Sequence, residues 1–179
     1  MTQHEYIYIA ISIILGLAIT RLLHTMGMIT RGYIRVIFHW SSAVWALSIM
    51  MYILQFWWIG WELRTVEEWN FTDFMVLVFG STFLYGAAEL ALSAPDKIGL
   101  DMFKQSQRLG RLSALSMLLY FLVGPYVNIF MYNNAIILSM AVPSVGVVLM
   151  VLVLTLPAHF KIWSVLFAGY TLGVLYLTV

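Results

Sequence analysis

The sequence predicts an all-α integral membrane protein: six transmembrane helices bundled in one domain over residues 1–179, with both termini outside. Three observations carry this. The chain is 63% hydrophobic and only 9% charged, where an ordinary soluble domain has about 25% charged residues. Too few polar side chains remain to clothe an aqueous surface. The apolar residues fall into six runs, each close to the roughly 20 residues a helix needs to cross a bilayer. The cations lie almost wholly in alternate breaks between those runs.

The first run, about 5–30, has no Lys or Arg before it, so it reads as a retained span and not as a cleaved leader. "TRGYIR" separates it from the second, 35–62, which ends in the aromatic cluster "FWWIGW". "ELRTVEEWN" leads to the third, 71–93. The next break, "SAPDKIGLDMFKQSQ", is the only one with room for an extra surface helix. From Leu112 to Ala158 the chain is apolar for more than one crossing, and "MYNN" (Met131 to Asn134) divides it into spans 110–132 and 135–156. "LPAHFK" precedes the last span, 160–178. Breaks this short imply antiparallel neighbours. No linker or low-complexity stretch interrupts them.

Charge sets the expected orientation. Arg31 and Arg35, then Lys97, Lys104, Arg108 and Arg111, then Lys161 occupy the first, third and fifth breaks. The other side carries Arg64 but collects Glu5, Glu62, Glu67, Glu68 and Asp73. By the positive-inside rule the odd breaks are cytoplasmic. Trp57, Trp58, Trp61 and Trp69 then form an aromatic anchor at the outer interface.

Within the spans, one base and one acid stand out. Arg21 follows Glu5 by 16 residues, and Glu89 follows Asp73 by 16. At 1.5 Å per residue both lie about 24 Å below an outer acid, so an Arg21–Glu89 ion pair is expected in the cytoplasmic third of the bilayer. Such a charge must be paired, or must snorkel to the headgroups. Ser12, Gly16, Thr20 and His24 recur at i+4 beside Arg21, a small-residue face suited to close helix contact. Ser81, Tyr85, Glu89 and Ser93 recur likewise on the third span, and Ser41, Trp45, Ser48, Tyr52 and Gln55 form a polar stripe on the second. The three sets are read as one buried seam. The last three spans look plainer, apart from Pro125 with Asn128, Pro143, and Gly169 with Gly173.

Several function classes fall away. Nine Lys and Arg against eight Asp and Glu leave no electrostatic footprint for nucleic acid. The absence of Cys removes disulfides and thiolate metal sites. There is no nucleophile elbow, metal-ligand set or carboxylate cluster, so no catalytic or metal residue is assigned. No cofactor is expected, with haem between His24 and His39 as the one option.

The elements "ILGLAITRLL" (14–23), "HW" (39–40), "QFWW" (55–58), "EEWNF" (67–71) and "LYGAAEL" (84–90) resemble a widespread group of uncharacterised bacterial multi-pass membrane proteins. The resemblance covers about residues 1–95. It implies a bacterial cytoplasmic (inner) membrane and carries no activity.

Two readings of function follow. The first is a homo-oligomeric channel or transporter, with His24, His39, Tyr85 and the Arg21–Glu89 pair at the inner end of a polar path or proton relay and Tyr52 and Gln55 toward the outer end. The second is a structural or accessory subunit that meets a partner within a larger membrane complex.

Overall fold

The computed structural model describes residues 2–31, 36–66, 68–93 and 100–178. Its helices are α1 (Gln3–Arg31), α2 (Trp40–Glu62), α3 (Phe71–Ala91), α4 (Met102–Tyr126), α5 (Ile136–Thr155) and α6 (Phe160–Thr178). Six helical segments are long and apolar enough to cross a membrane. Arg35, Glu67 and Lys97, used above for orientation, lie outside the described residues.

The caps explain the boundaries. His39 is extended, and its ring nitrogen accepts from the Ser41 amide to start α2. Asn70 and Asp73 form a reciprocal capping box at the start of α3. Asp101 accepts from the amides of Phe103 and Lys104 and starts α4 at Met102, not at 110 as expected. That cap carries the polar stretch Lys104 to Arg111 directly into α4, so no separate surface helix forms from it. At the other end, Pro125 has no amide to return to the preceding turn. The helix passes into a π turn over Val127–Met131, a register that is rare overall and frequent at functional sites.

Two short strands, β1 (Val36–Ile37) and β2 (Leu100–Asp101), pair in parallel, Val36 with Leu100 and Ile37 with Asp101. They join the first and third breaks at one end of the bundle. Pairs this brief leave no periodic signal in the sequence.

α3 runs between α1 and α4, α4 continues the row to α5, and α2 lies against α1, α3 and α6. The centre is filled by aromatic rings. Trp45 packs on Phe167 at 4.8 Å and on Phe160 at 5.4 Å between ring centroids. Tyr52 stacks on Phe167 at 5.6 Å and meets Phe121 edge-on at 5.3 Å. Phe56 meets Tyr120 edge-on at 5.7 Å. Gly146 admits the Phe121 ring, since a Cβ there would stand 2.8 Å from it. Between α3 and α4, Gly86 plays the same part for Ser116, whose Oγ lies 2.7 Å from where that Cβ would be.

Candidate functional site

Arg21 and Glu89 are brought together: Arg21 Nε lies 2.7 Å from Glu89 Oε2 across the α1–α3 seam. The two side chains are 35% and 36% exposed, so the pair sits at the edge of the bundle. Arg21 Nε is itself covered, and its N–H is not aligned on the carboxylate. The contact is a close ion pair more than a hydrogen bond, which needs near-linear geometry. Glu89 stands in the last turn of α3, which carries no base of its own. The helix dipole places partial negative charge there, so the Arg21 guanidinium answers both the carboxylate and the helix end.

The residues around the pair do not form the buried seam expected from their spacing. α1 turns Ile7, Ile11, Leu15, Ala18, Leu22, Thr25 and Ile29 into the bundle. Thr20 and His24 are exposed on the opposite face, with Ser12 and Gly16 half-exposed beside them. A Cβ on Gly16 would meet nothing within 4 Å. Thr20 Oγ1 donates to the Gly16 carbonyl at 2.8 Å, so its polarity is absorbed by its own helix. The correction has a simple cause. The aliphatic face of α1 fits the core more densely than the small one, and lipid exerts no pull that would sort the two.

The stripe on α2 does face inward, and Ser41, Trp45, Ser48, Tyr52 and Gln55 are all buried. Its polar atoms find partners that the sequence did not indicate. Trp45 Nε1 donates to Ser113 Oγ at 3.0 Å, and Ser113 Oγ donates to the Ala87 carbonyl at 2.9 Å. This chain ties α2, α4 and α3 together. Ser42 and Ser106 share a hydrogen bond of 2.6 Å, and Ser116 donates to the Phe83 carbonyl at 2.7 Å. α4, taken as plain, is therefore the main polar fastener of the bundle. Its signal was present as Ser106, Ser113 and Ser116 at helical spacing.

Tyr52 and Gln55 do not line up with the ion pair. Tyr52 Oη has no hydrogen-bond partner among the described residues and lies among aromatic rings. Gln55 Nε2 donates to Thr178 Oγ1 at 2.7 Å, at the end of the bundle that holds both termini. Tyr85 is half-buried on α3. The rings of Trp45, Tyr52, Phe121 and Phe167 fill the space between the two ends. The expected polar path is thus not continuous inside one chain.

The two histidines are also separate. His24 makes no hydrogen bond or ring contact with the described residues, whereas His39 Nδ1 is 2.7 Å from Ser41 Oγ and its ring lies 4.8 Å from Phe103. Burial, and then the Lys161 ammonium, hold the His39 imidazole below its ordinary pKa, with Asp101 pulling the other way. Lys161 itself lies over the Phe103 ring at 4.8 Å. Among the described residues no three His, Asp or Glu side chains gather as a metal set.

At the opposite end, Trp58 and Trp61 are exposed and Trp57 and Trp69 half-buried. Trp58 Nε1 donates to Glu62 Oε1 at 3.0 Å, Arg64 lies 4.6 Å over the Trp61 ring, and Trp69 Nε1 donates to the Val66 carbonyl. His4 Nε2 meets the Gly60 carbonyl at 2.8 Å, fastening α1 to α2. Asp73 is buried, and Tyr126 Oη donates to it at 2.8 Å. A cavity of about 580 Å³ opens here between the ends of α2, α4, α5 and α6. No family model, curated protein or solved structure matches the chain.

Proposed function

We propose that the chain is a bacterial inner-membrane protein, with both termini outside, that acts as a homo-oligomeric channel or transporter whose polar path runs between protomers. One observation carries this reading. The small and polar face of α1, Gly16, Thr20 and His24 beside the Arg21–Glu89 pair, points away from a bundle whose interior is closed by aromatic rings. Lipid tails offer polar groups nothing, and small residues admit a second backbone closely. Gly169 and Gly173 on α6 are likewise exposed, with open space where a Cβ would stand, and supply a second face of the same kind.

The test is purification in a mild detergent followed by ion-flux assays in liposomes, comparing wild type with Glu89→Gln. The expected result is a pure homo-oligomer whose proton or ion flux falls at least about tenfold in the variant, the scale of losing a relay group. A monomer, or full flux in Glu89→Gln, overturns the path between protomers. A stoichiometric larger partner replaces it with the accessory-subunit reading.

A further inference from the structure

The cavity at the terminal end of the bundle is a separate feature. Its walls come from the last turns of α2, the π turn after α4, the first turns of α5 and the end of α6. Its volume of about 580 Å³ falls within the range of about 300–1,000 Å³ typical of small-molecule sites. Gln55 and Glu62 both line it. They are seven residues apart on α2, so the cavity reaches about 10 Å inward from its rim. Phe56 and Tyr120 line its deep part, and Leu138, Val142 and Val174 supply apolar wall.

The polar groups are unevenly placed, and the one side-chain charge among the described lining residues is negative. Among the described residues, Glu62 is the one carboxylate side chain on the lining, and no Lys, Arg or His lines it. Its carboxylate is steadied by Trp58 Nε1. Asn128, on the π turn, and Asn134, beside the left-handed Asn133 (φ 54°), add side-chain amides to the lining. Gln55 Nε2 donates to Thr178 Oγ1. The lining therefore offers one negative charge, with amides and hydroxyls that can accept hydrogen bonds, above an apolar floor.

We infer that this cavity binds an amphiphile with an ammonium head, the head held at Glu62 and the two asparagine amides and the hydrocarbon body laid toward Phe56 and Tyr120. An ammonium has donors only, which matches a rim rich in acceptors. Charge-assisted hydrogen bonds to a carboxylate are the strongest contacts such a rim can make. The π turn has a purpose in this account: it widens the α4 wall and carries Asn128 onto the cavity. The same head chemistry comes from two sources, an aminophospholipid of the surrounding leaflet or a free alkylamine.

The experiment uses the full chain in a non-ionic detergent. Octylammonium is titrated calorimetrically, with octanol as the uncharged control, against wild type, Glu62→Gln and Ala135→Trp. Ala135 is exposed at the cavity wall, so its replacement closes the entrance without disturbing the core. The expected result is saturable octylammonium binding that weakens about tenfold in Glu62→Gln, the worth of one charge-assisted contact, and disappears in Ala135→Trp. Octanol binding, where measurable, is equal in wild type and Glu62→Gln. Repeating the titration with added phosphatidylethanolamine separates the sources: competition assigns the lipid head, and unchanged affinity assigns the free amine. No saturable binding, or equal octylammonium affinity in wild type and either variant, overturns the inference.

Discussion

α1 and α2 each carry a stripe of polar and small residues at helical spacing, and the bundle treats them in opposite ways. On α2, Ser41, Trp45, Ser48, Tyr52 and Gln55 are all buried. On α1, Thr20 and His24 are exposed, with Gly16 and Ser12 beside them. The difference lies in what each stripe brings to the centre. The α2 stripe contains two large rings with polar tips, and those rings fill the space where α2, α4 and α6 meet. The α1 stripe is thin, and the aliphatic face behind it packs better. In water, polarity would have forced both stripes outward. In a bilayer, volume and hydrogen-bond partners decide.

The largest effect is expected from Trp45→Ala. It empties the centre and leaves Ser113 without its donor, and it should cost about 3–5 kcal/mol in reversible unfolding from mixed micelles. A loss under about 1 kcal/mol would mean that the α2 rings do not hold the centre of the bundle. Ser113→Ala isolates the polar part. With the ring kept, it should cost about 1 kcal/mol or less, since hydrogen bonds between helices in membranes average about 0.6 kcal/mol. A result near the Trp45→Ala value would show that the hydrogen bond, and not the ring, holds the centre.

A weaker effect belongs to the start of α2. The folded chain keeps the His39 imidazole neutral below its ordinary pKa, so on acidification the unfolded chain takes up the proton first. Stability is therefore full above about pH 6.5 and declines as pH falls below it. Wild type should lose melting temperature on acidification through this group, and His39→Gln should remove that part of the slope. An unchanged slope in the variant assigns the dependence to other groups. The smallest effect on protomer stability is expected from Thr20→Leu on the outward stripe, within about 0.5 kcal/mol. The same substitution should dissociate the oligomer on native gels, and an intact oligomer would show that this face is covered by lipid alone.

Much of the pair was legible in the sequence. The matching 16-residue offsets of Arg21 from Glu5 and Glu89 from Asp73 require only that α1 and α3 start level and run the same way. The contact at 2.7 Å meets that requirement. Glu89 lies in the last turn of α3 while α1 continues to Arg31, so the pair stands off-centre, toward the end of the bundle that carries the first and third breaks. The α4 boundary was misjudged because Lys104, Arg108 and Arg111 read as loop, whereas the Asp101 cap, a local contact of one carboxylate, extends the helix through them. The cavity was not legible at all, since its lining comes from four helices and a π turn.

Composition and spacing alone determined the class of this protein: six apolar helices, their boundaries to within a few residues for five of them, and the two opposite charges that meet. Those features depend on length, hydropathy and rise per residue, which are local quantities. Tertiary structure decided which face of each helix is inside, which serines on α4 complete the hydrogen bonds, and where a cavity opens. The reason is that lipid, unlike water, surrounds a helix with the same apolar medium its core would provide. A single helix then carries no signal of inside and outside, and only the fit of its neighbours supplies one.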